Sequence, residues 1–310
     1  MKDTQTLLRF LQKIQYNFGE NAIHHIEVLD FKTFDFFPDM AMFSVSYIVL
    51  KTFQRNSTTP KSFDDAICFY FKNVVQGKSI VSDAKTFMEK PIVHIFPYSA
   101  TRISTFKKGE KVQMLCVIVR IPFLKELLGK DVEKFNFIFD YYQHFLIEEI
   151  LTDDIVRSVI EIIHAKPQET LRDFHYRMLA LQLLFNLFKS LSNRSQTKFQ
   201  KLNERDIAAI YRLKEALIND LSQPVAIEDL SKIAGMNIAK MRKLFIQIFG
   251  MGIYDYFQKQ RMVEAARRLK EQQVSVAEVG YALGFENLSH FTRVFEQHIG
   301  MKPKAYSKVK

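Results

Sequence analysis

The run Val225-Ala-Ile-Glu-Asp-Leu-Ser-Lys-Ile-Ala-Gly-Met-Asn-Ile-Ala-Lys-Met-Arg-Lys-Leu-Phe-Ile-Gln-Ile-Phe-Gly-Met returns 49 residues later as Val274-Ser-Val-Ala-Glu-Val-Gly-Tyr-Ala-Leu-Gly-Phe-Glu-Asn-Leu-Ser-His-Phe-Thr-Arg-Val-Phe-Glu-Gln-His-Ile-Gly-Met. A repeat of that period is two copies of one supersecondary unit. Each copy reads as helix, glycine turn, helix. In the second, Ser275 and Glu278 form an S-x-x-E capping box, Val279, Ala282 and Leu283 follow at helical spacing, and Gly284 stops the helix. Asn287 then caps a helix whose inner face is Phe291, Val294, Phe295 and His298 or Ile299. In the first copy Leu230, Ile233 and Ala234 lead into Gly235, and Asn237 caps a helix that turns Met241, Leu244, Phe245 and Ile248 inward.

Two short helices around a tight glycine turn make a helix-turn-helix, whose second helix enters a major groove. With the apolar faces buried, Ala239, Lys240, Arg242, Lys243 and Gln247 face outward in the first copy. Leu288, Ser289, His290, Thr292, Arg293 and Gln297 do so in the second. Donors and small groups without acids suit a helix among phosphates. Between the copies, Tyr254 to Glu271 holds neither glycine nor proline and reads as one helix of about 27 Å. With the width of each module added, the readers would sit roughly one DNA turn, about 34 Å, apart.

The block from Asp206 to Ser307 resembles the DNA-binding domain of the AraC/XylS transcription regulators. The residues that carry the resemblance are the paired motifs and the run Arg261-Met-Val-Glu-Ala-Ala-Arg-Arg-Leu. With them go Gly284-Phe-Glu-Asn-Leu-Ser-His-Phe-Thr-Arg-Val-Phe and Gly300-Met-Lys-Pro-Lys-Ala-Tyr. The resemblance covers about a third of the chain. It implies base contacts from Ala239, Arg242 and Lys243 in the first reading helix, and from Leu288, Ser289, Thr292 and Arg293 in the second. The chain departs from the family pattern at Ala226, where a serine or threonine cap is usual, at Lys243, where arginine is usual, and at Lys302, where threonine precedes Pro303. Lys243 is a point charge without the bidentate fork of arginine.

Of 310 residues, 47% are apolar and 25% charged, an ordinary globular composition long enough for two cores. The formal charge is +10, and residues 205–310 hold 17 Lys and Arg against 11 Asp and Glu. The basic excess therefore sits with the reading helices, as nucleic-acid binding requires. Cys68 and Cys116 lie in apolar runs and read as buried free thiols. No apolar stretch approaches 18 residues, and the N-terminus lacks a signal peptide's core, so the expected compartment is cytoplasmic, with no membrane partner.

The expected fold class is α+β, an N-terminal β-sandwich or cupin-like barrel with helices ahead of an all-α domain. The cupin-like form rests on the resemblance, which also implies a small-molecule effector there. Residues 1–192 would sense and dimerise, 193–204 link, and 205–310 bind DNA. Leu7, Leu11, Ile14 and Phe18 form a short amphipathic stripe. Strand-like runs are Met42 to Leu50, Ala66 to Phe71, Ile92 to Phe96 and Val112 to Ile121. His24 and His25 are adjacent and His94, His144, His164 and His175 isolated, so no pair has metal-ligand spacing; no metal, cofactor or catalytic residue is expected. His94, in a strand-like run, reads as a satisfied core or pocket-wall residue. Of 29 phenylalanines, 23 precede residue 205, including Phe31, Phe34, Phe36, Phe37, Phe69, Phe71 and Phe96, and they read as core filling or as an aromatic pocket wall.

From Gln168 to Leu191, Leu171, Phe174, Met178, Leu181, Phe185 and Phe188 recur at alternating steps of three and four. That 3.5-residue stripe seats one helix along another and is expected to form a homodimer. The reading is thus a transcription regulator, an activator, with double-stranded DNA as partner. The competing class is a DNA-repair alkyl acceptor fused to the same DNA-binding domain, which needs an activated cysteine.

Overall fold

The computed structural model describes residues 7–10, 12, 22–36, 39–57, 65–74, 79–82, 85–88, 91–100, 102–139, 145–166, 170–194, 202–271 and 274–308. The chain divides into two compact units, Met1–Lys201 and Leu202–Lys310.

The N-terminal unit is built on ten strands: β1 (Ile26–Phe36), β2 (Met40–Val49), β3 (Phe53–Ser57), β4 (Ala66–Lys72), β5 (Ser79–Ser82), β6 (Lys85–Met88), β7 (Ile92–Pro97), β8 (Arg102–Phe106), β9 (Lys111–Arg120) and β10 (Ile147–Ile150). Six of them form one antiparallel sheet in the order β1-β2-β9-β4-β7-β10, and β3 pairs with β8 and β5 with β6 as separate ribbons. Side chains alternate across the sheet, and both faces are covered. Met42, Ile67, Phe69, Phe71, Val93, Ile95, Leu115, Val117 and Val119 enter one core. Phe43, Val45, Tyr47, Cys68, Met114, Cys116 and Ile118 enter the other, beneath Leu7, Phe10, Phe53 and Phe106. Strands buried on both faces read as continuous apolar runs, which is why β2, β4, β7 and β9 stood out in the sequence.

The expected barrel does not form among the described residues. The sheet's edges are β1 and β10, and no pairing joins them. Helices cover one face of the large sheet, and the β3–β8 ribbon contributes Phe53 and Phe106 to the other. The helices are α1 (Ile121–Leu128), the single turn α2 (Asn136–Phe139), α3 (Asp153–His164) and α4 (Arg172–Leu191), whose Leu124, Ile138, Val159 and Leu183 enter the first core.

Helix α4 buries Tyr176, Leu179, Ala180, Leu183, Leu184, Leu187 and Leu191 and leaves an apolar row outside. Leu171 is 72% exposed, Phe174 67%, Met178 53% and Phe185 61%. Leu181 is half-buried. Phe188 corrects the expected stripe: it is buried, with ring centroids 4.9 Å from Phe135 and 6.0 Å from Phe69. Leu171 precedes the helix with a left-handed φ of 64°. Past α4, Arg194 is buried and donates to Glu149 at 2.9 Å. Burial pushes its guanidinium pKa down, against the pull of Glu149 and Glu148. His94, directly across from Glu148 in the β7–β10 pair, lies 3.0 Å from its carboxylate.

The C-terminal unit is all helical: α5 (Glu204–Asn219), α6 (Ile227–Ala234), α7 (Ile238–Phe249), α8 (Ile253–Glu271), α9 (Val276–Ala282), α10 (Leu288–Ile299) and the single turn α11 (Pro303–Tyr306). Met241, Leu244, Phe245, Ile248, Phe257, Met262, Ala265, Phe291 and Phe295 are among its buried side chains. Gly284 is required twice over. Its φ is +75°, and a Cβ there would lie 1.8 Å from the carbonyl oxygen of Ser222, between α5 and α6. Leu11, Ile14, Phe18, Phe37, His144, residues 195–201 of the expected linker and Lys310 lie outside the described residues.

Candidate nucleic-acid interface

Local chemistry fixes the ends of the four helices that matter. The Asn237 side chain accepts from the backbone N–H of Lys240 at 2.8 Å and starts α7. Asn287 accepts from Ser289 at 2.8 Å and His290 at 3.1 Å and starts α10. Both helices end on left-handed glycines, Gly250 and Gly300. At α9 the expected capping box is complete: Glu278 N–H donates to Ser275 Oγ and Ser275 N–H to Glu278 Oε2. The backbone bond from Ser275, with the side-chain bond behind it, holds the Glu278 carboxyl below its usual pKa. Helix α6 starts on Ala226 with no side-chain cap.

These ends set which residues face out. Ala239, Arg242 and Lys243 on α7 are exposed, as are Ser289, His290 and Arg293 on α10. Thr292 and Leu288 are half-buried. Leu288 turns partly inward, its Cδ2 2.8 Å from where a Cβ on Gly280 would stand, so Gly280 lets α9 and α10 touch. Lys240 is drawn back to α5, its Nζ 2.8 Å from Asp206 Oδ1. His290 stacks edge-on against Phe285 at 5.7 Å. Gln247, read from the sequence as outward, is fully buried: the inner face of α7 also takes in Phe249 and is wider than the apolar spacing implied. Arg242 also borders a cavity of about 370 Å³ walled by Leu217, Leu230, Ile246 and Phe257, with Asp255 beside it.

The linker helix carries polar side chains inside. Glu264 is buried and accepts from Arg267 at 2.8 and 2.9 Å and from Arg268 at 2.7 Å. No group of three or more His, Cys, Asp or Glu that could hold a metal occurs among the described residues. Among them, no helix is long and apolar enough to cross a membrane.

Residues 230–308 match a family model described as a helix-turn-helix domain. The chain is 35% identical over 100 residues to an uncharacterized HTH-type transcriptional regulator of Haemophilus influenzae, covering 31% of this chain and 34% of that protein. It is 30% identical over 103 residues to the transcriptional activator NphR of a Rhodococcus species, covering 33% and 30%. The chain thus spans about a third of the length of these relatives. Among solved structures, the DNA-binding domain of AdpA in complex with a target DNA is 25% identical, with 33% of this chain and 89% of that one covered and a TM-score of 0.29. The C-terminal third of the chain thus carries a helix-turn-helix domain of the AraC type, similar to those of the transcriptional regulators it matches.

Proposed function

We propose that the chain is a sequence-specific DNA-binding transcription regulator that reads two successive major grooves of double-stranded DNA with α7 and α10. The observation that carries this reading is the sorting of the two helices. Their apolar faces are buried, and Arg242 and Lys243 on one and Ser289 and Arg293 on the other stand exposed at or just past capped N-terminal turns. Lys240 and Leu288 are the weaker contributors, one tied to Asp206 and the other packed on α9. The relative named as an activator supports activation as the sign of control.

Selection of sites from a random duplex pool by the full chain tests this. Arg293→Ala is expected to flatten base preference at one position at a cost of about 1–3 kcal/mol. Lys308→Ala, at the exposed C-terminal end, is expected to leave every preference intact. Equal losses on selected and random duplexes for both variants would remove Arg293 from the readers.

In this reading residues 1–192 sense and dimerise, 193–204 link, and 205–310 read. The exposed row Leu171, Phe174, Met178 and Phe185, with Leu181 at its margin, supports dimerisation along α4, since such a row is covered in a stable protein by another apolar surface. A second chain raises the effective concentration of DNA-binding domains at paired sites. A small effector would act in the N-terminal unit by favouring one arrangement over another. The repair-enzyme reading is disfavoured by the thiols. Cys68 and Cys116 are 3% and 4% exposed and stand 3.3 Å apart as a hydrogen-bonded pair, where no alkylated base could reach them.

A further inference from the structure

We propose that Arg261 is a positioning residue that sets the spacing between the two groove readers, by clamping the turn that launches α10 onto the linker helix. The inference rests on the DNA reading above. Arg261 is 6% exposed, inside the unit, on α8. Its Nε donates to the carbonyl of Leu283 at 3.1 Å, and a second guanidinium nitrogen donates to the same oxygen. Its Nη1 donates to Gln258 at 3.3 Å. The plane of the guanidinium lies over Phe285, 3.9 Å from the ring centroid, with Phe257 at 5.4 Å.

Among the described residues, the hydrogen-bond partners of this cation, the Leu283 carbonyl and the Gln258 amide, are neutral. A buried charge without a counter-ion is costly, and an apolar side chain would fill the space at less expense. What the guanidinium supplies is direction. Two donors converging on one carbonyl oxygen fix the turn along the helix, and the aromatic face fixes its rotation. Leu283 caps the C-terminal end of α9, where a cation also meets the negative end of the helix dipole. Asn287, two residues past Phe285, starts α10. The same rod is tied to the first reader by Tyr256, whose ring lies 5.4 Å from Phe245 and 5.0 Å from Phe249 of α7. One helix thus carries a fixed contact to each reader. At the offset that relates Gly235 to Gly284, the counterpart of Arg261 is Arg212 on α5, which is exposed, so the clamp belongs to the second module alone.

The test is selection from a random duplex pool with the full chain, scored for the separation of the two recognised sub-sites. The wild type is expected to yield two sub-sites at one separation. Arg261→Met is expected to keep the base preferences within each sub-site, to broaden their separation, and to bind the wild-type duplex at least about tenfold more weakly, a modest part of what linked binding supplies. Arg261→Lys keeps the charge without the flat fork and is expected to show the same broadening, and it decides the matter if the Met variant fails to fold. Leu213→Ala, a core truncation on α5, is expected to lower the melting temperature and leave the separation alone. Either Arg261 variant retaining the wild-type separation overturns the clamp. A wild type that enriches no two-part sequence would instead overturn the DNA reading beneath it.

Discussion

At Gly284 a single hydrogen in place of a methyl group decides whether the C-terminal unit closes. A Cβ there would fall within bonding distance of a backbone oxygen, which has no rotamer to escape into, and the positive φ adds strain. Gly284→Ala is expected to cost about 2–4 kcal/mol, read as a lowered denaturant midpoint of the C-terminal transition. Glu264 makes the other single-residue prediction. Burial alone would raise its carboxyl pKa, but the hydrogen bonds and charges of Arg267 and Arg268 outweigh it and hold the pKa below the usual 4.5. A depressed native pKa contributes stability that is complete above 4.5 and is lost as pH falls through the native value. Thermal melts from about pH 6 to about pH 3 should therefore show a shallower acid decline for Glu264→Gln than for the wild type. An unchanged slope would mean that the arginines are held by other means.

Among the elements, the two repeats differ in their first caps, and the difference is measurable. Ser275 completes a capping box at α9, and Ala226 offers α6 nothing although its backbone has the cap conformation, φ −60° and ψ 143°. Ser275→Ala should destabilise the domain by about 1 kcal/mol, and Ala226→Ser should stabilise it by about 0.5–1 kcal/mol, both seen as opposite shifts in melting temperature. Loss of stability on adding the serine would show that α6 starts elsewhere. The reading helices were legible because their signals are local: Asn caps, glycine stops and 3.6-residue spacing all lie within one run of chain. The sheet was legible only at its centre. In β1 the register shifts between Val28 and Asp30, so Ile26 and Phe31, of opposite parity, enter the same core and strict alternation is lost. Strand β10 is Ile-Glu-Glu-Ile, and its Glu148 is buried where His94 meets it from β7, a partner no local pattern reveals. On α4 the 3.5-residue stripe was the weaker apolar face. The row at Tyr176, Ala180, Leu183 and Leu187 won the core, and it took Phe188 with it.

For the molecule as a whole, the row outside α4 predicts self-association. Phe174→Glu together with Phe185→Glu should shift the full chain from dimer to monomer in sedimentation equilibrium at micromolar concentration while leaving the N-terminal fold's circular dichroism unchanged. A wild-type chain that sediments as a monomer would retire that contact. The near-collision of Gly284 with Ser222 has a consequence for the nucleic acid. It locks the turn of the second module against the connection that precedes the first, leaving the reader no joint in its middle. The rod of α8, 19 residues and about 28 Å, then cannot stretch to suit a groove spacing it does not match. In the proposed two-groove reading the accommodation falls on the duplex, between the two sub-sites. Sites with a pliant TA or CA step between the sub-sites should bind more tightly than sites stiffened there by an A-tract. Indifference to that swap would mean that the protein, and not the duplex, bends.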